Sequence, residues 1–501
     1  MSDTTVVPHR RLITASVMLA MFIQTLDSTI SIVALPYIQG SMSASADEIS
    51  WVLTSYVIAA AIFTAPVGWM AQRFGRKRMF LICLGGFIGM SMLSGASQSL
   101  EQLITFRIIQ GMFGAALAPM CQATMLDIYP FAQRAQAMAI FAMGITMGPT
   151  LGPTLGGWLT DAYNWRWVFY VNLGPGLLAF LGVLIFLPKV APKPNMTFSW
   201  YGFSMLAIGV GTLQLMLDRG QTLDWFNSTE IIIEATICGL CFYLFIVHMV
   251  MAEKPFLPLA LFTDRNFFSG IIMVSCVSSL MLSTATLMAP FLQQLAHFPV
   301  LDSGIAMAPR GFGTMVAMFV ASWLSKMFDQ RKIMATGLIS LGAVMLIMSG
   351  WTPDVRRTEM MLVLFMQGFS IGLVFNPMTV MAYTTLSPAL RPDATAVQSL
   401  ARNLGSAIGI SVTTFTLTRG TQMAHADISA GITPFERTLQ MGDAASRILD
   451  PDTRGGAMLL DQMITYQAKI ISYNNDFRLM ALTVIPPLIL LLFMRRAQKV
   501  G

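Results

Sequence analysis

Three ionisable side chains stand where the surrounding sequence is apolar, and these residues are the ones able to do chemistry. Asp27 lies in LDSTISIVALP, between Leu26 and Ser28. An isolated carboxylate in hydrocarbon is costly, so it must face a water-filled cavity or a partner. A carboxyl group placed there suits the loading and release of protons. A permanently ionised carboxylate that only packs helices is the plainer alternative. Arg107, in RIIQGMFGAALAP, can pair with a carboxylate, attract an anionic group or repel a proton at one stage of a cycle; a purely structural ion pair would use the same residue. Glu230 and Glu234 lie one helical turn apart where another apolar stretch begins. Solvation at the interface accounts for Glu230, whereas Glu234 is deeper and stands as a third proton candidate. Gln24, Gln110, Gln122, Gln367 and Asn376 offer uncharged hydrogen bonds inside a bundle and are the candidates for a substrate cavity. Forty Met and 33 Phe suit soft packing around a promiscuous cavity, and equally an ordinary core.

Two glycine-containing segments suit movement. Residues 144–157 read GITMGPTLGPTLGG, so Gly144, Gly148, Gly152 and Gly156 form one helical face that lets another helix approach closely. Pro149 and Pro153 each remove an intrahelical hydrogen bond and are expected to bend the helix. A gate would use such a helix; so would a rigid dimer contact. Residues 68–78 read GWMAQRFGRKR, a tight basic loop in which Gly68 and Gly75 keep the connection short. Arg73 and Arg76 can hold helix C-termini there.

Helices long enough to cross a bilayer must position these groups. Only 56 of 501 residues are charged (31 Lys and Arg, 25 Asp and Glu), and 55% are hydrophobic. A soluble domain carries about 25% charged residues. That excludes a soluble enzyme, a disulfide-rich secreted fold and a fibrous chain. A span needs about 20 residues. Fourteen stretches qualify, at about 12–36, 49–71, 79–97, 102–126, 135–157, 167–187, 199–217, 230–250, 267–295, 303–325, 333–350, 359–382, 395–418 and 477–494. The fold class expected is an all-α polytopic membrane protein, because helices satisfy every backbone group inside a bilayer. The first stretch is too long for a signal-peptide core and reads as a retained span.

With the N-terminus inside, inner segments hold eighteen Lys and Arg, running from Arg10 and Arg11 through Arg73–Arg78 to Arg495, Arg496 and Lys499, while short outer loops hold Arg166, Arg219, Arg356 and Arg357. Both termini are therefore expected in the cytoplasm. The same bias accounts for the formal charge of +6 without nucleic acid. Most connections are too short for a catalytic domain. The exception, 419–476, is expected as a long outer loop with a helix near 456–472; it can cap the outer mouth, touch a partner or simply be solvated. The five cysteines lie in apolar stretches and the four histidines are scattered, so no disulfide framework, metal site or cofactor is expected.

Taken in order, these segments resemble the major facilitator superfamily and, within it, the fourteen-span drug:proton antiporters, the EmrB-like multidrug efflux permeases. GWMAQRFGRK is similar to the superfamily's loop 2–3 signature through Gly68, Arg73, Gly75, Arg76 and Lys77, but Gln72 holds its acidic position, which alters the charge relay proposed for that loop. Arg107, Gln110 and Gly111 match the fourth-span signature, GITMGPTLGPTLGG the antiporter signature, and LDSTISIVALP the first-span signature, with Asp27 at its acid. The likeness continues through Trp165–Trp167, Phe169 and Asn172, then through 217–226 and 261–267.

The resemblance implies a six-helix half at 1–190, an inserted pair at 191–255 and a second six-helix half at 256–501 that contains the periplasmic loop 419–476. It implies a proton-coupled antiporter of the inner membrane. Its cargo would be hydrophobic or amphipathic drugs, with alternating access and no covalent step. Its partners would be membrane lipid, a periplasmic membrane-fusion protein and an outer-membrane channel. A proton-coupled or facilitated importer of a small organic solute shares the fold; the antiporter signature speaks against it. A membrane sensor would need a soluble signalling element, and a membrane enzyme a polar catalytic cluster.

Overall fold

The computed structural model describes residues 8–130, 133–192, 196–431 and 453–494. Lys193, Arg495, Arg496 and Lys499 of the charge count lie outside them, as do residues 432–452 of the expected loop. Among the described residues the regular structure is helical, with no strand.

The chain opens with α1 (Arg10–Met42), α2 (Ala46–Thr64) and α3 (Val67–Phe74). Ser45 and Glu48 cap α2 reciprocally, the Glu48 amide donating to Ser45 Oγ and the Ser45 amide to Glu48 Oε2. The predicted span 49–71 is two helices meeting at 58°. Pro66 heads α3, where its missing N–H costs nothing and ends the helix before it. Then come α4 (Arg76–Ala96), α5 (Leu100–Gly114), α6 (Leu117–Ile128), α7 (Arg134–Ala162), α8 (Trp167–Tyr170) and α9 (Leu173–Phe186). α7 runs unbroken through Pro149 and Pro153, so the expected bends do not interrupt it.

α10 (Trp200–Arg219) and α11 (Thr229–Met251) pack on each other, and α10 also meets α2. After the short α12 (Ala260–Thr263) follow α13 (Arg265–Pro290), α14 (Val300–Leu324), α15 (Gln330–Met348), α16 (Arg357–Thr384), α17 (Arg391–Gly431), α18 (Arg454–Leu482) and α19 (Ile485–Phe493). Within the first group of helices the broadest contact is α1 on α7; later in the chain it is α14 on α16 and α13 on α17. The two groups meet where α7 touches α14 and α16, and where α17 touches α3 and α6.

Eleven described helices are long and apolar enough to cross a membrane, or twelve if α2 and α3 form one span. The predicted spans 135–157 and 395–418 fall in α7 and α17, which are helical but outside that set. The expected loop 419–476 is largely helix where it is described. α17 continues to Gly431 and α18 begins at Arg454. With 41 residues, α17 is about 60 Å long, twice the roughly 30 Å of hydrocarbon in a bilayer. A helix of that length extends past the hydrocarbon, and its far end is joined to the start of α18 by a bond between His425 and Asp461.

Candidate functional site

Asp27 and Arg107 have no measurable exposure and form an ion pair, Arg107 Nη1 to Asp27 Oδ2 at 2.6 Å. Two amides complete the carboxylate's surroundings. Gln110 Nε2 donates to Asp27 Oδ1 at 3.0 Å, and Asn172 Nδ2 donates to the same oxygen at 2.8 Å. Asn172 also reaches Ser91 Oγ at 3.0 Å. Five elements thus meet in one cluster: α1 carries the carboxyl group, α5 and the turn before α9 donate to it, α4 meets Asn172 through Ser91, and α2 meets Arg107 through the Val52 carbonyl.

Arg107 Nε donates to the carbonyl of Val52 at 3.2 Å, and Nη1 also approaches Gln110 Oε1 at 3.3 Å. The guanidinium stacks 4.1 Å above the Tyr56 ring, a favourable cation–π position. Its Nη2 has no hydrogen-bond partner among the described residues. Every group on Asp27 is a donor, which is the environment of an ionised carboxylate. A buried pair adds little net stability, but removing one charge costs about 3–5 kcal/mol.

The helix that carries Asp27 lies in a glycine seam. Gly144, Gly148, Gly152 and Gly156 of α7 face Met18, Thr25, Thr29 and Ile30 of α1. A Cβ at Gly148 would collide with Thr25 Oγ1, and one at Gly152 with Thr29 Oγ1. Such closeness lets both hydroxyls reach α7 backbone carbonyls, Thr25 Oγ1 to Gly144 O at 3.2 Å and Thr29 Oγ1 to Gly148 O at 3.1 Å. The glycine face is therefore used inside the chain, against the helix that holds the carboxylate.

A second set of bonds joins the two helix groups at the end carrying the basic loop. Gln72 Nε2 donates to both oxygens of Asp393 on α17, at 3.3 and 3.2 Å. Gly68 packs against the Asp393 backbone, with a built Cβ 2.8 Å from its Cα. Asp127 accepts Arg76 Nη1 at 2.5 Å and Arg391 Nη1 at 3.2 Å. Residues 68–78, expected as a loop, are helical except at one residue: 68–74 lie in α3, 76–78 open α4, and Gly75 turns between them with φ +87°, a region open to glycine. Arg73 Nη1 donates to the carbonyl of Met196 at 3.0 Å. Deeper in, Gln122 Nε2 donates to Gln398 Oε1 at 2.7 Å, and Tyr383 Oη donates to the same oxygen.

The remaining predicted residues separate. Glu234 is buried on α11 with Oε2 unpartnered among the described residues, and it has no bond to the Asp27 cluster. Of the five amides, only Gln110 bonds Asp27 itself. Gln24 is half-buried one turn before Asp27. Gln367 and Asn376 are buried in α16; Asn376 Nδ2 donates to the carbonyl of Met318, while neither amide atom of Gln367 has a partner among the described residues. A cavity of about 340 Å³ lies at the basic end, lined by Arg10, Arg11, Thr14, Tyr129, Gln133, Gln136 and Ile140; none of the predicted cavity residues lines it. Tyr56, Ser91, Gln398 and Asp393 were not singled out from sequence. Hydroxyl and amide groups are common in such helices, and their partners lie far away along the chain. Asn172 stood within a recognised stretch without a role.

Apolar helices wrapped around a buried ion pair are the build of a polytopic membrane protein. The chain belongs to the major facilitator superfamily: the pattern of that family matches residues 17–410. It is 32% identical over 472 residues to the multidrug export protein EmrB of Escherichia coli (strain K12), covering 93% of this chain and 91% of that protein. Identity to the fatty acid resistance protein FarB of Neisseria gonorrhoeae is 29% over 468 residues, covering 93% and 92% of the two chains. The human organic anion transporter MFSD10 (TETRAN) has a similar fold, with a TM-score of 0.64 and 15% sequence identity, over 97% of this chain and 100% of that one. The protein is thus a multi-pass protein of the inner membrane.

Proposed function

We propose that the protein is the permease of a proton-driven exporter of hydrophobic or amphipathic compounds, working by alternating access. The observation that carries this reading is the fully buried Asp27–Arg107 pair on a helix set in a glycine seam. The multidrug export and fatty acid resistance proteins it resembles support an apolar, toxic cargo. Fourteen spans arranged as six, two and six, with both termini cytoplasmic, place the basic loop inside. The bonds Gln72–Asp393 and Asp127–Arg391 then close the cytoplasmic end.

In this reading a proton from the outer side neutralises Asp27, and Arg107 loses its counter-charge. The cluster rearranges, α1 shifts along α7, and the cytoplasmic bonds open. Cargo entering from the inside displaces the proton to the cytoplasm. Gly68, Arg73, Gly75 and Arg76 pivot at the basic loop, while Gly144, Gly148, Gly152 and Gly156 keep the seam close enough to slide. Gln24, Gln110, Gln122, Gln367 and Asn376 are the amides offered to cargo, and Glu234 is the reserve proton carrier. The proton gradient is the only energy source and no cofactor takes part. The far end of α17 and the start of α18 present a surface to a periplasmic membrane-fusion protein and, beyond it, an outer-membrane channel.

The test uses purified protein in liposomes under an inward-acidic gradient, with a trapped pH dye. Hydrophobic compounds should release protons from wild-type vesicles but not from Asp27→Asn vesicles that still bind the compound. Coupling that persists in Asp27→Asn removes Asp27 from the mechanism and makes Glu234 the next residue to test. Cargo accumulating together with protons would make the protein an importer.

A further inference from the structure

Beyond the Asp27 cluster, the later helices bury a second carboxyl group in opposite surroundings. Asp476 on α18 is 2% exposed. Its Oδ1 lies 2.5 Å from Thr416 Oγ1 on α17. Its Oδ2 is buried and has no hydrogen-bond partner among the described residues. No ion pair among them includes Asp476.

The elements packed most broadly on α18 are α17, α15 and the turn at 291–295, and α13, whose titratable groups are Arg265 and Cys276, reaches it where Thr284 meets Met480. On α17, Arg402 lies fourteen residues before Thr416, roughly 20 Å along the helix, and donates to Ser399. Arg419 is exposed and bonded to Gln422. On α15, the titratable groups are Arg331 and Lys332 at its first turn, and the 291–295 turn, FLQQL, has none. On α18 itself, Arg478 approaches Asn475, Lys469 lies two turns away, and Tyr473 is buried beside the carboxyl group.

The hydrogen count of Thr416 then decides the state of Asp476. A hydroxyl has one hydrogen to give. Thr416 Oγ1 stands 3.0 Å from the carbonyl of Val412 and 3.1 Å from that of Thr413, as well as against Asp476. If Asp476 were ionised, the hydroxyl would have to turn its one hydrogen to Oδ1. A buried negative charge would then be held by a single neutral donor, which burial penalises heavily. If Asp476 is a carboxylic acid, its own O–H donates to Thr416 Oγ1 and the threonine hydrogen goes to a backbone carbonyl. Both hydrogens are used, and only a neutral carbonyl oxygen lacks a partner. Asp27 is the contrast, with a guanidinium and two amides donating to it.

We propose that Asp476 is a second proton-binding site, occupied in this conformation and separate from the Asp27–Arg107 pair. Proton occupancy follows from the site's own geometry. Its part in coupling rests on the exporter reading above: a chain carrying both sites takes up two protons as it cycles between fully protonated and fully deprotonated states.

The test is infrared difference spectroscopy of the purified full chain in lipid at neutral pH. Wild type should show a carboxylic-acid carbonyl band that Asp476→Asn removes and Asp27→Asn keeps. Thr416→Val should shift that band, because it removes the acceptor of the acid's hydrogen bond. A spectrum unchanged by Asp476→Asn overturns the proposal. If Asp476→Asn does not fold, Thr416→Val decides alone, and an unshifted band overturns it. The measurement needs no cargo, so a failure of export leaves the proton site standing. Intact proton-coupled export with no such band removes Asp476 and leaves the exporter reading intact.

Discussion

Gln72 on α3 and Asp393 on α17 are 321 residues apart in the chain, and the amide of one donates to both carboxylate oxygens of the other. The basic loop lacks an acid at its own position, and the carboxylate that meets it comes from the opposite helix group. Gly68, one turn before Gln72, makes room for this, since its missing side chain lets the Asp393 backbone approach.

Gln72→Ala should therefore weaken closure at the basic end by about 1 kcal/mol, the usual net worth of a hydrogen bond. Gln72→Asp should weaken it further, because it sets a like charge against Asp393. Distances between spin labels on α3 and α17 check both: the open population should rise in the order wild type, alanine, aspartate.

Gly148→Ala should cost about 1–3 kcal/mol, the range for overpacking a close contact, because the new methyl group meets Thr25 backbone and side chain. Gly157→Ala in the same helix is the control, with Val33 Cγ1 as its nearest neighbour at 3.9 Å. Thermal unfolding in detergent should separate the two, with transport slowed in Gly148→Ala and unaltered in Gly157→Ala.

Asp27→Asn and Arg107→Gln should each lower stability by about 3–5 kcal/mol, the cost of leaving one buried charge alone. The pair Asp27→Asn with Arg107→Gln removes both charges and should recover much of that loss while leaving proton coupling abolished. A double-mutant cycle in unfolding and proton release tests this. If the double variant is as unstable as the sum of the singles, the ion pair is not the interaction that matters.

His425 and Asp461 join α17 to α18 at 3.0 Å but stay solvent-accessible. An exposed pair contributes about 0–1 kcal/mol, so His425→Ala should leave the melting temperature nearly unchanged. A large drop would mean that the helical hairpin is held chiefly by this pair and not by the α17–α18 contact.

Much of the architecture was legible because a bilayer imposes a one-dimensional constraint. Runs of about 20 apolar residues must be helices there, and each predicted stretch falls on one helix or on a broken pair. Asp27 and Arg107 were legible for the same reason, as charges in apolar sequence need partners. The Gly144–Gly156 spacing likewise marked a close-packing face before its partner was known. Asp476 was not legible. It closed a segment read as outer loop, one residue before the apolar run 477–494, where a carboxylate needs no explanation. The helix instead starts at Arg454 and lays Asp476 against Thr416.

Sequence by itself determined the membrane class, the places of the helices and the identity of the costly polar groups, because hydropathy and periodicity are properties of neighbouring residues. Only the tertiary structure decided which groups meet: Asp27 with Arg107, Gln110 and Asn172, Gln72 with Asp393, Asp476 with Thr416. Those partnerships depend on the rotation and depth of helices packed side by side, and no local pattern in one helix encodes the face its distant neighbour turns towards it.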